Sequence, residues 1–327
     1  MRTNLLDICQ LNVQFDTEEG RITAVENLSL SLLSGEVLGI VGESGSGKSV
    51  TAKSIMQLNP KNTFYGEDSQ IILEGENTLN FKTKTDLKKI RGGKVSMIFQ
   101  EPMASFAPAI KIGKQMVEQL IIHKNITKKE AVNVSLDMLD RVGITDADKR
   151  FNQYAFELSG GMRQRAMIAM ALSTMPKLLL ADEPTTALDV TIQAQVLALI
   201  KNIINEYKMG VIFITHDLGV IAQIADSIAV MYLGCVVEKG PVNEIIKNPK
   251  HPYTRGLISA LPDINNLDAP LRPIPGNIPS PLERPSGCVF RTRCPNPTNE
   301  CREGKNKMGL IEIAPGHWVD QCCVNCG

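Results

Sequence analysis

Residues 42–49 combine glycines, a lysine and a hydroxyl in an order suited to binding phosphate. The run Gly42-Glu-Ser-Gly-Ser-Gly-Lys-Ser49 matches G-x-x-x-x-G-K-[ST]. Glycines let the backbone wrap closely so that amides point at phosphate oxygens, and a following helix adds the positive end of its dipole. Lys48 would reach the β- and γ-phosphates, and Ser49 would bind Mg²⁺. The predicted nucleotide-binding residues here are Gly42, Ser44, Gly45, Ser46, Gly47, Lys48, Ser49 and Val50.

A pair of acidic residues follows an apolar run further along the chain. Residues 178–181 lead directly into Asp182 and Glu183. We assign Asp182 to Mg²⁺, which a carboxylate can hold through water, and Glu183 to orienting and deprotonating the attacking water. Such a pair alone is more often structural. In a chain with a phosphate loop, the pair instead favours a role in phosphoryl transfer.

Short apolar runs are predicted to form buried strands that end where this chemistry begins. These runs are residues 37–41, 95–99, 178–181 and 211–215. Their alternation with helical periods over residues 1–245 predicts an α/β domain with a mainly parallel sheet, whose ligands bind at the carboxyl ends of the strands. Residues 111–143 are predicted to form one or two amphipathic helices.

Charge and hydropathy limit the environments in which the protein works. The 35 Lys and Arg residues balance 35 Asp and Glu residues, so we predict no nucleic-acid partner. The amino terminus lacks the apolar run of a secretion signal, and polar residues interrupt residues 211–237, the most apolar stretch. We therefore predict a cytoplasmic protein that reaches the membrane only through partners.

Residues 158–165 carry the sequence LSGGMRQR, which resembles the LSGGQ-type signature of ABC ATPases. Alone, its SGG could be only a helix N-cap. The resemblance implies a P-loop NTPase (ABC ATPase) with a RecA-like, mostly parallel sheet core, an antiparallel β N-terminal subdomain and a helical signature subdomain at about 105–172. It also implies ATP and Mg²⁺ as cofactors.

The resemblance assigns roles to residues outside the phosphate loop. In the family, the segment that matches Ser159, Gly160 and Gly161 faces the γ-phosphate bound by a second ATPase subunit. That subunit is either a homologous F-type chain or a second copy of this one. Gln100 matches the glutamine that contacts Mg²⁺ and water, and His216 matches the switch histidine at the γ-phosphate. Gln100, Glu183 and His216 are the predicted catalytic residues.

Two further positions follow from the same resemblance. Asp189 matches the loop that crosses the dimer interface, and Phe15 lies where an aromatic residue usually stacks on adenine. An ordinary strand residue is the alternative for Phe15.

A wider resemblance, to the D-type ATP-binding subunits of oligopeptide and dipeptide permeases, covers essentially the whole chain. It is carried by GESGSGKSVT, FQEPM, DEPTTALDVTIQAQVL, THDLGV and HPYTRGL. It implies an ATPase on the cytoplasmic face of the cell membrane, bound to two transmembrane permease subunits and served indirectly by an extracytoplasmic substrate-binding protein. Residues 104–108 read ASFAP, where many members end this segment in Leu-Asn-Pro. Oligosaccharide or nickel therefore stays open as the cargo beside peptides.

A soluble ABC ATPase acting on ribosomes or DNA is the competing class of function. Ribosome-type members carry two ATPase cassettes, and DNA-repair types insert long coiled coils. The chain has one phosphate loop and no long heptad repeat, which favours the transporter class.

Residues 246–327 are predicted to form an irregular C-terminal extension rich in proline and cysteine. Cys288, Cys294, Cys301 and Cys322 resemble family cysteines for which an iron–sulfur cluster has been inferred in some members. Four thiolates can hold [4Fe–4S] or Zn²⁺, and the spacing favours the cluster. Free thiols are the alternative, and Cys323 or Cys326 could replace Cys322. A solvated surface is predicted for the basic residues Arg284, Arg291, Arg293, Arg302, Lys305 and Lys307, with contact to anionic lipid headgroups as the alternative.

Overall fold

The computed structural model describes residues 3–185, 188–260, 273–305 and 308–324. The chain divides into two compact units. The first unit contains the described residues of 1–5, 32–36 and 77–214, and the second contains those of 6–31, 37–76 and 215–327.

Strands and helices alternate through most of the chain. The strands are β1 (Asn4–Thr17), β2 (Gly20–Leu33), β3 (Val37–Val41), β4 (Thr63–Tyr65), β5 (Gln70–Leu73), β6 (Glu76–Asn77), β7 (Val95–Ile98), β8 (Leu178–Asp182), β9 (Gly210–Ile214), β10 (Ser227–Tyr232), β11 (Cys235–Pro241), β12 (Leu310–Ala314) and β13 (His317–Asp320). The α-helices are α1 (Lys48–Ile55), α2 (Lys84–Ile90), α3 (Ile112–Lys124), α4 (Lys128–Arg141), α5 (Ala147–Phe151), α6 (Gly160–Ser173), α7 (Val190–Tyr207), α8 (Leu218–Ile224), α9 (Val242–Lys247), α10 (Pro252–Ser259) and α11 (Asn299–Glu303).

The first unit is built on three parallel strands in the order β9-β8-β7. Every residue of these strands is buried, which explains why they are nearly continuous apolar runs. Helix α4 packs against α3 and α6 in the same unit. A capping box starts α4, in which Thr127 Oγ1 accepts from the Glu130 amide at 3.3 Å and Glu130 Oε2 accepts from the Thr127 amide at 2.8 Å.

The second unit contains two groups of strands. Strands β2-β1-β5-β6 lie in that order, and β4 also pairs with β1. The other group has the order β12-β13-β11-β10-β3. Within it, β10 is parallel to β3 and antiparallel to β11, and β13 is antiparallel to both β11 and β12. The fully buried β3 leads into the phosphate loop and then α1.

The sequence predicts the main elements close to their observed bounds. The four predicted strands appear as β3, β7, β8 and β9, and residues 111–143 form two helices, α3 and α4. Among the described residues, no helix is both long and apolar enough to cross a bilayer.

The prediction of an irregular C-terminal extension needs correction. Residues 310–314 and 317–320 form a hairpin whose second strand pairs with β11, and residues 252–259 form a helix. The turn passes through Gly316 at φ 73°, a conformation that glycine adopts at low cost. The two strands have only five and four residues, and they gain their backbone partners from β11 and from each other.

Replacement of Phe213 by alanine tests the core of the first unit. Phe213 is fully buried in β9, so Phe213→Ala should lower the free energy of unfolding by about 3–5 kcal/mol. Phe156, in the same unit, is 60% exposed, and Phe156→Ala should change it by about 0.5 kcal/mol or less. Denaturant unfolding of both variants measures the difference, and equal losses would contradict the assignment of Phe213 to the core.

Candidate functional site

The phosphate loop follows a backbone path that requires glycine. Gly42, Gly45 and Gly47 have φ values of 153°, 79° and 97°. A Cβ on Gly42 would lie 2.2 Å from the Met231 carbonyl oxygen, and one on Gly47 would lie 2.6 Å from the Ala24 carbonyl oxygen. Residues with a side chain cannot occupy these two positions unless the neighbouring strands move.

The Lys48 side chain is folded into the loop and is only 7% exposed. Its ammonium donates to the carbonyl oxygens of Gly42 at 2.7 Å and Glu43 at 2.9 Å, and lies 3.4 Å from Ser46 Oγ. Gly47 caps α1 without a side-chain hydrogen bond, so the first-turn amides of Ser49 and Val50 carry no side-chain cap. The arrangement is that of a helix N-terminus available to an anion, with a cation beside it.

Two more predicted site residues lie in the second unit. Phe15 is half-buried on β1, opposite Thr63 of β4. His216 is exposed just before α8, whose first amides are capped by Asp217 at 2.8 Å and 3.2 Å. Their contacts with a nucleotide stay predictions.

The first unit brings two predicted catalytic residues together. Asp182 ends β8 and is 3% exposed. Glu183 follows with φ 49°, a strained value for a residue with a side chain. Gln100, which follows β7, donates from Nε2 to Glu183 Oε2 at 3.2 Å. An amide and a carboxylate therefore meet at the carboxyl end of this sheet, the edge at which the sequence predicts chemistry.

The signature residues begin helix α6. Ser159 is its N-cap and accepts from the Met162 amide at 3.4 Å, while Ser159 and Gly160 are exposed. The buried Gln164 of the same helix donates to the Pro184 carbonyl, which ties the signature helix to the segment after Glu183. Asp189 is exposed and caps α7 by accepting from the Ile192 amide at 2.9 Å.

Two neighbouring thiols of the cysteine-rich C-terminal extension are in contact. Cys322 Sγ lies 3.4 Å from Cys323 Sγ. Hydrogen bonds from these two thiols lower the pKa of Cys288, and the same contacts raise the pKa values of Cys322 and Cys323. Cys301 lies instead 3.2 Å from Thr298 Oγ1. In the ranges that the structure describes, no three or more His, Cys, Asp or Glu residues are grouped to hold a metal ion, and Cys326 lies outside those ranges.

The prediction that the basic residues of the tail form a solvated surface is wrong for two of them. The Arg293 side chain is 3% exposed and donates to Glu43 at 2.7 Å and 3.2 Å. The Arg284 side chain is 17% exposed and pairs with Glu26. Burial opposes the charge of Arg293, but its hydrogen bonds with Glu43 and Tyr232 raise its pKa. Lys307 lies outside the described residues.

Two residues of the C-terminal extension, Tyr253 and Arg293, contact the phosphate loop, and the sequence does not predict either contact. In the sequence, Arg293 is one of several basic residues and Tyr253 is one letter of HPYTRGL. Tyr253 is fully buried, and its hydroxyl accepts a hydrogen bond from the Glu43 amide at 2.8 Å. A buried tyrosine needs a partner for its hydroxyl, but the sequence gives no sign that the partner lies 210 residues away.

Comparisons with known proteins agree with the motifs. Residues 25–186 match the ABC transporter family, and residues 237–301 match the C-terminal region of oligopeptide/dipeptide transporters. The chain is 46% identical to the oligopeptide transport ATP-binding protein OppD of Salmonella typhimurium, over 95% of this chain and 91% of the relative. It is also 46% identical to the oligopeptide transport ATP-binding protein AppD of Bacillus subtilis, over 97% and 96% of the two chains.

Solved structures of ATP-binding cassettes share the fold. The dimeric ATP-binding cassette MJ0796, in a post-hydrolysis state bound to ADP and Pi, aligns with a TM-score of 0.66 and 26% identity. The alignment covers 73% of this chain and 99% of that one.

Alanine at two glycines of the loop should affect stability to different degrees. Both positions have positive φ, so each substitution costs about 1–3 kcal/mol of backbone strain. A methyl group at Gly45 would meet no atom within 4 Å, whereas one at Gly42 would collide with backbone. Gly42→Ala should therefore lower the nucleotide-free melting temperature clearly more than Gly45→Ala, and equal shifts would contradict the close approach of Met231.

Proposed function

The chain belongs to the ABC transporter ATP-binding proteins of the oligopeptide/dipeptide type, and on this premise we propose that it powers peptide import across the cytoplasmic membrane. It is an ATP-hydrolysing transport ATPase. The observation that carries the assignment is the hydrogen bond of Gln100 to Glu183, directly after the strand that ends in Asp182, in a chain with a complete phosphate loop.

The proposed division of labour follows from the chemistry of the side chains. The loop amides and Lys48 bind the phosphates of ATP. The hydroxyl of Ser49, the amide oxygen of Gln100 and the carboxylate of Asp182 are hard oxygen donors, the type that Mg²⁺ prefers. When bound, Mg²⁺ neutralises charge on the phosphates. Glu183 orients and deprotonates the attacking water, while His216 contacts the γ-phosphate.

Each site is proposed to be completed by a second ATPase subunit. Ser159 and Gly160 are exposed at the N-terminus of α6, where amide groups can face a phosphate on a partner. The related cassette MJ0796 is a dimer bound to ADP and Pi, which supports this arrangement. Asp189 is assigned to the interface between the two ATPase subunits, and Phe15 is assigned to stacking on adenine. The second subunit is either an F-type homologue or another copy of this chain.

The proposed complex also contains two transmembrane permease subunits and draws cargo from an extracytoplasmic binding protein. The names of the relatives from Salmonella typhimurium and Bacillus subtilis favour peptides as the cargo. Co-purification from membranes would identify the partners. Uptake by proteoliposomes containing the complex, with a peptide, an oligosaccharide or nickel supplied in turn, would identify the cargo, and uptake of only one of the last two would overturn the peptide assignment.

Glu183→Gln should prevent hydrolysis but retain ATP, because an amide cannot accept the proton of the attacking water. We expect ATPase activity of the purified complex to fall by about 10²- to 10⁴-fold. Radiolabelled ATP should remain with the variant complex through gel filtration. Glu206→Gln, on the exposed end of α7, is the matched control and should behave as wild type. Rapid turnover by Glu183→Gln would remove Glu183 from its role.

We also propose that the tail binds a [4Fe–4S] cluster through Cys288, Cys294, Cys301 and Cys322. Thiolates are the ligands that such clusters use. The Sγ atoms of Cys322 and Cys323 lie 3.4 Å apart, which supports a site built from several thiols. The described residues fit the cluster only in part, since they include no group assembled to hold a metal ion.

Anaerobic purification tests the cluster. The protein should be brown and contain iron and acid-labile sulfide, and Cys288→Ser should lose both. Cys9→Ser, on β1, is the control and should keep them. Stoichiometric zinc in place of iron, or metal-free protein, would overturn the proposal.

A further inference from the structure

Glu43, the second residue of the phosphate loop, is held by residues far away in the sequence. Arg293 Nη1 donates to Glu43 Oε2 at 2.7 Å, and Nη2 donates to Oε1 at 3.2 Å, which is a bidentate pair. The Glu43 amide donates to the Tyr253 hydroxyl at 2.8 Å. The Glu43 carbonyl accepts from Lys48 Nζ at 2.9 Å. The carboxylate, amide and carbonyl of one loop residue therefore all have fixed partners.

Arg293 is itself fixed by its surroundings. Its Nε donates to the Pro275 carbonyl at 3.0 Å, and Nη2 also donates to the Ile274 carbonyl at 3.3 Å. The guanidinium lies 5.8 Å from the centre of the Tyr232 ring. A guanidinium that is 3% exposed and bonded on several sides cannot turn to solvent at low cost.

The side chain of Tyr253 is also fixed, by the aromatic rings around it. Its ring packs edge-on against Tyr232 at 4.8 Å and contacts Phe290 at 5.4 Å. All three rings are fully buried, so the hydroxyl that receives the Glu43 amide has little freedom. The phosphate loop is therefore held at Glu43 by two contacts, one from Tyr253 of α10 and one from Arg293.

We propose that Arg293 and Tyr253 are positioning residues for ATP binding, which hold Glu43 so that Lys48 and the loop amides keep the geometry that receives phosphate. Preorganised donors bind an anion without first having to reorganise. Through these two contacts the C-terminal segment sets the affinity of the loop for ATP. The inference rests on the proposed phosphate-binding role of the loop.

A double-mutant cycle separates positioning from a merely structural contact. Arg293→Gln and Glu43→Gln should each raise the dissociation constant of a fluorescent ATP analogue with Mg²⁺ by about 10- to 100-fold, by analogy with residues that orient the ligands of a metal ion. The double variant should bind no more weakly than the weaker single variant, because Arg293 acts through Glu43. The double variant removes both charges, so it should fold even if a single variant does not.

Three further variants sharpen the test. Arg293→Lys keeps the charge without the bidentate fork and should recover only part of the affinity. Tyr253→Phe leaves the Glu43 amide without its acceptor and should also weaken binding. Arg291→Gln is the matched control, because Arg291 donates to the carbonyls of Cys301 and Arg302, and it should change the dissociation constant less than twofold.

Defined outcomes would overturn the inference. One is a fall in melting temperature of Arg293→Gln with an unchanged dissociation constant, which would make the contact structural only. Another is a double variant whose loss of affinity is the product of the two single losses. Lys48→Ala is tested in parallel and should abolish binding. If Lys48→Ala binds ATP normally, the assigned role of the loop fails instead.

Discussion

The conformation of the phosphate loop depends on close contact between glycine and backbone carbonyl groups. The pairing of Val41 with Val230 brings the Met231 carbonyl next to Gly42. At Gly47 the Ala24 carbonyl takes the corresponding place. The loop is therefore shaped by the two strands beside it as much as by its own sequence, and this leaves the first amides of α1 available to an anion.

In the first unit, the acidic pair depends on buried parallel strands. Every residue of strands β7, β8 and β9 is buried, and this packing fixes the position of Asp182 and Glu183 at the end of β8. Glu183 has a left-handed backbone conformation. Gln100 donates to its side chain, and Gln164 donates to the backbone carbonyl of Pro184, the next residue. Strain held in place by surrounding hydrogen bonds is common at functional sites. The fold thus orients the Glu183 carboxylate.

The sequence predicts the parts of the site that depend on local order. Buried strands such as residues 37–41 are recognisable as apolar runs, and the phosphate loop and signature are contiguous motifs. The tail is harder to predict, because β12 and β13 are short and exist through pairing with β11. Spacing alone does not show that Cys322 contacts Cys323, while Cys301 contacts Thr298. The Arg293–Glu43 pair joins residues 250 apart, which no local pattern reveals.

Besides holding the loop in position, the pair has an electrostatic consequence for a phosphate site. An uncompensated carboxylate in the loop would repel the anionic phosphates and compete for Lys48. Arg293 offsets this charge at 2.7 Å, with a guanidinium that is 3% exposed facing a carboxylate that is 30% exposed, so solvent screens the pair only in part. Lys48 bonds to the backbone carbonyl of Glu43 at 2.9 Å, while Arg293 bonds to the carboxylate. Because Arg293 offsets the charge of Glu43, the electrostatic potential at the loop is set mainly by the backbone amides and by Lys48. Both of these favour an anion.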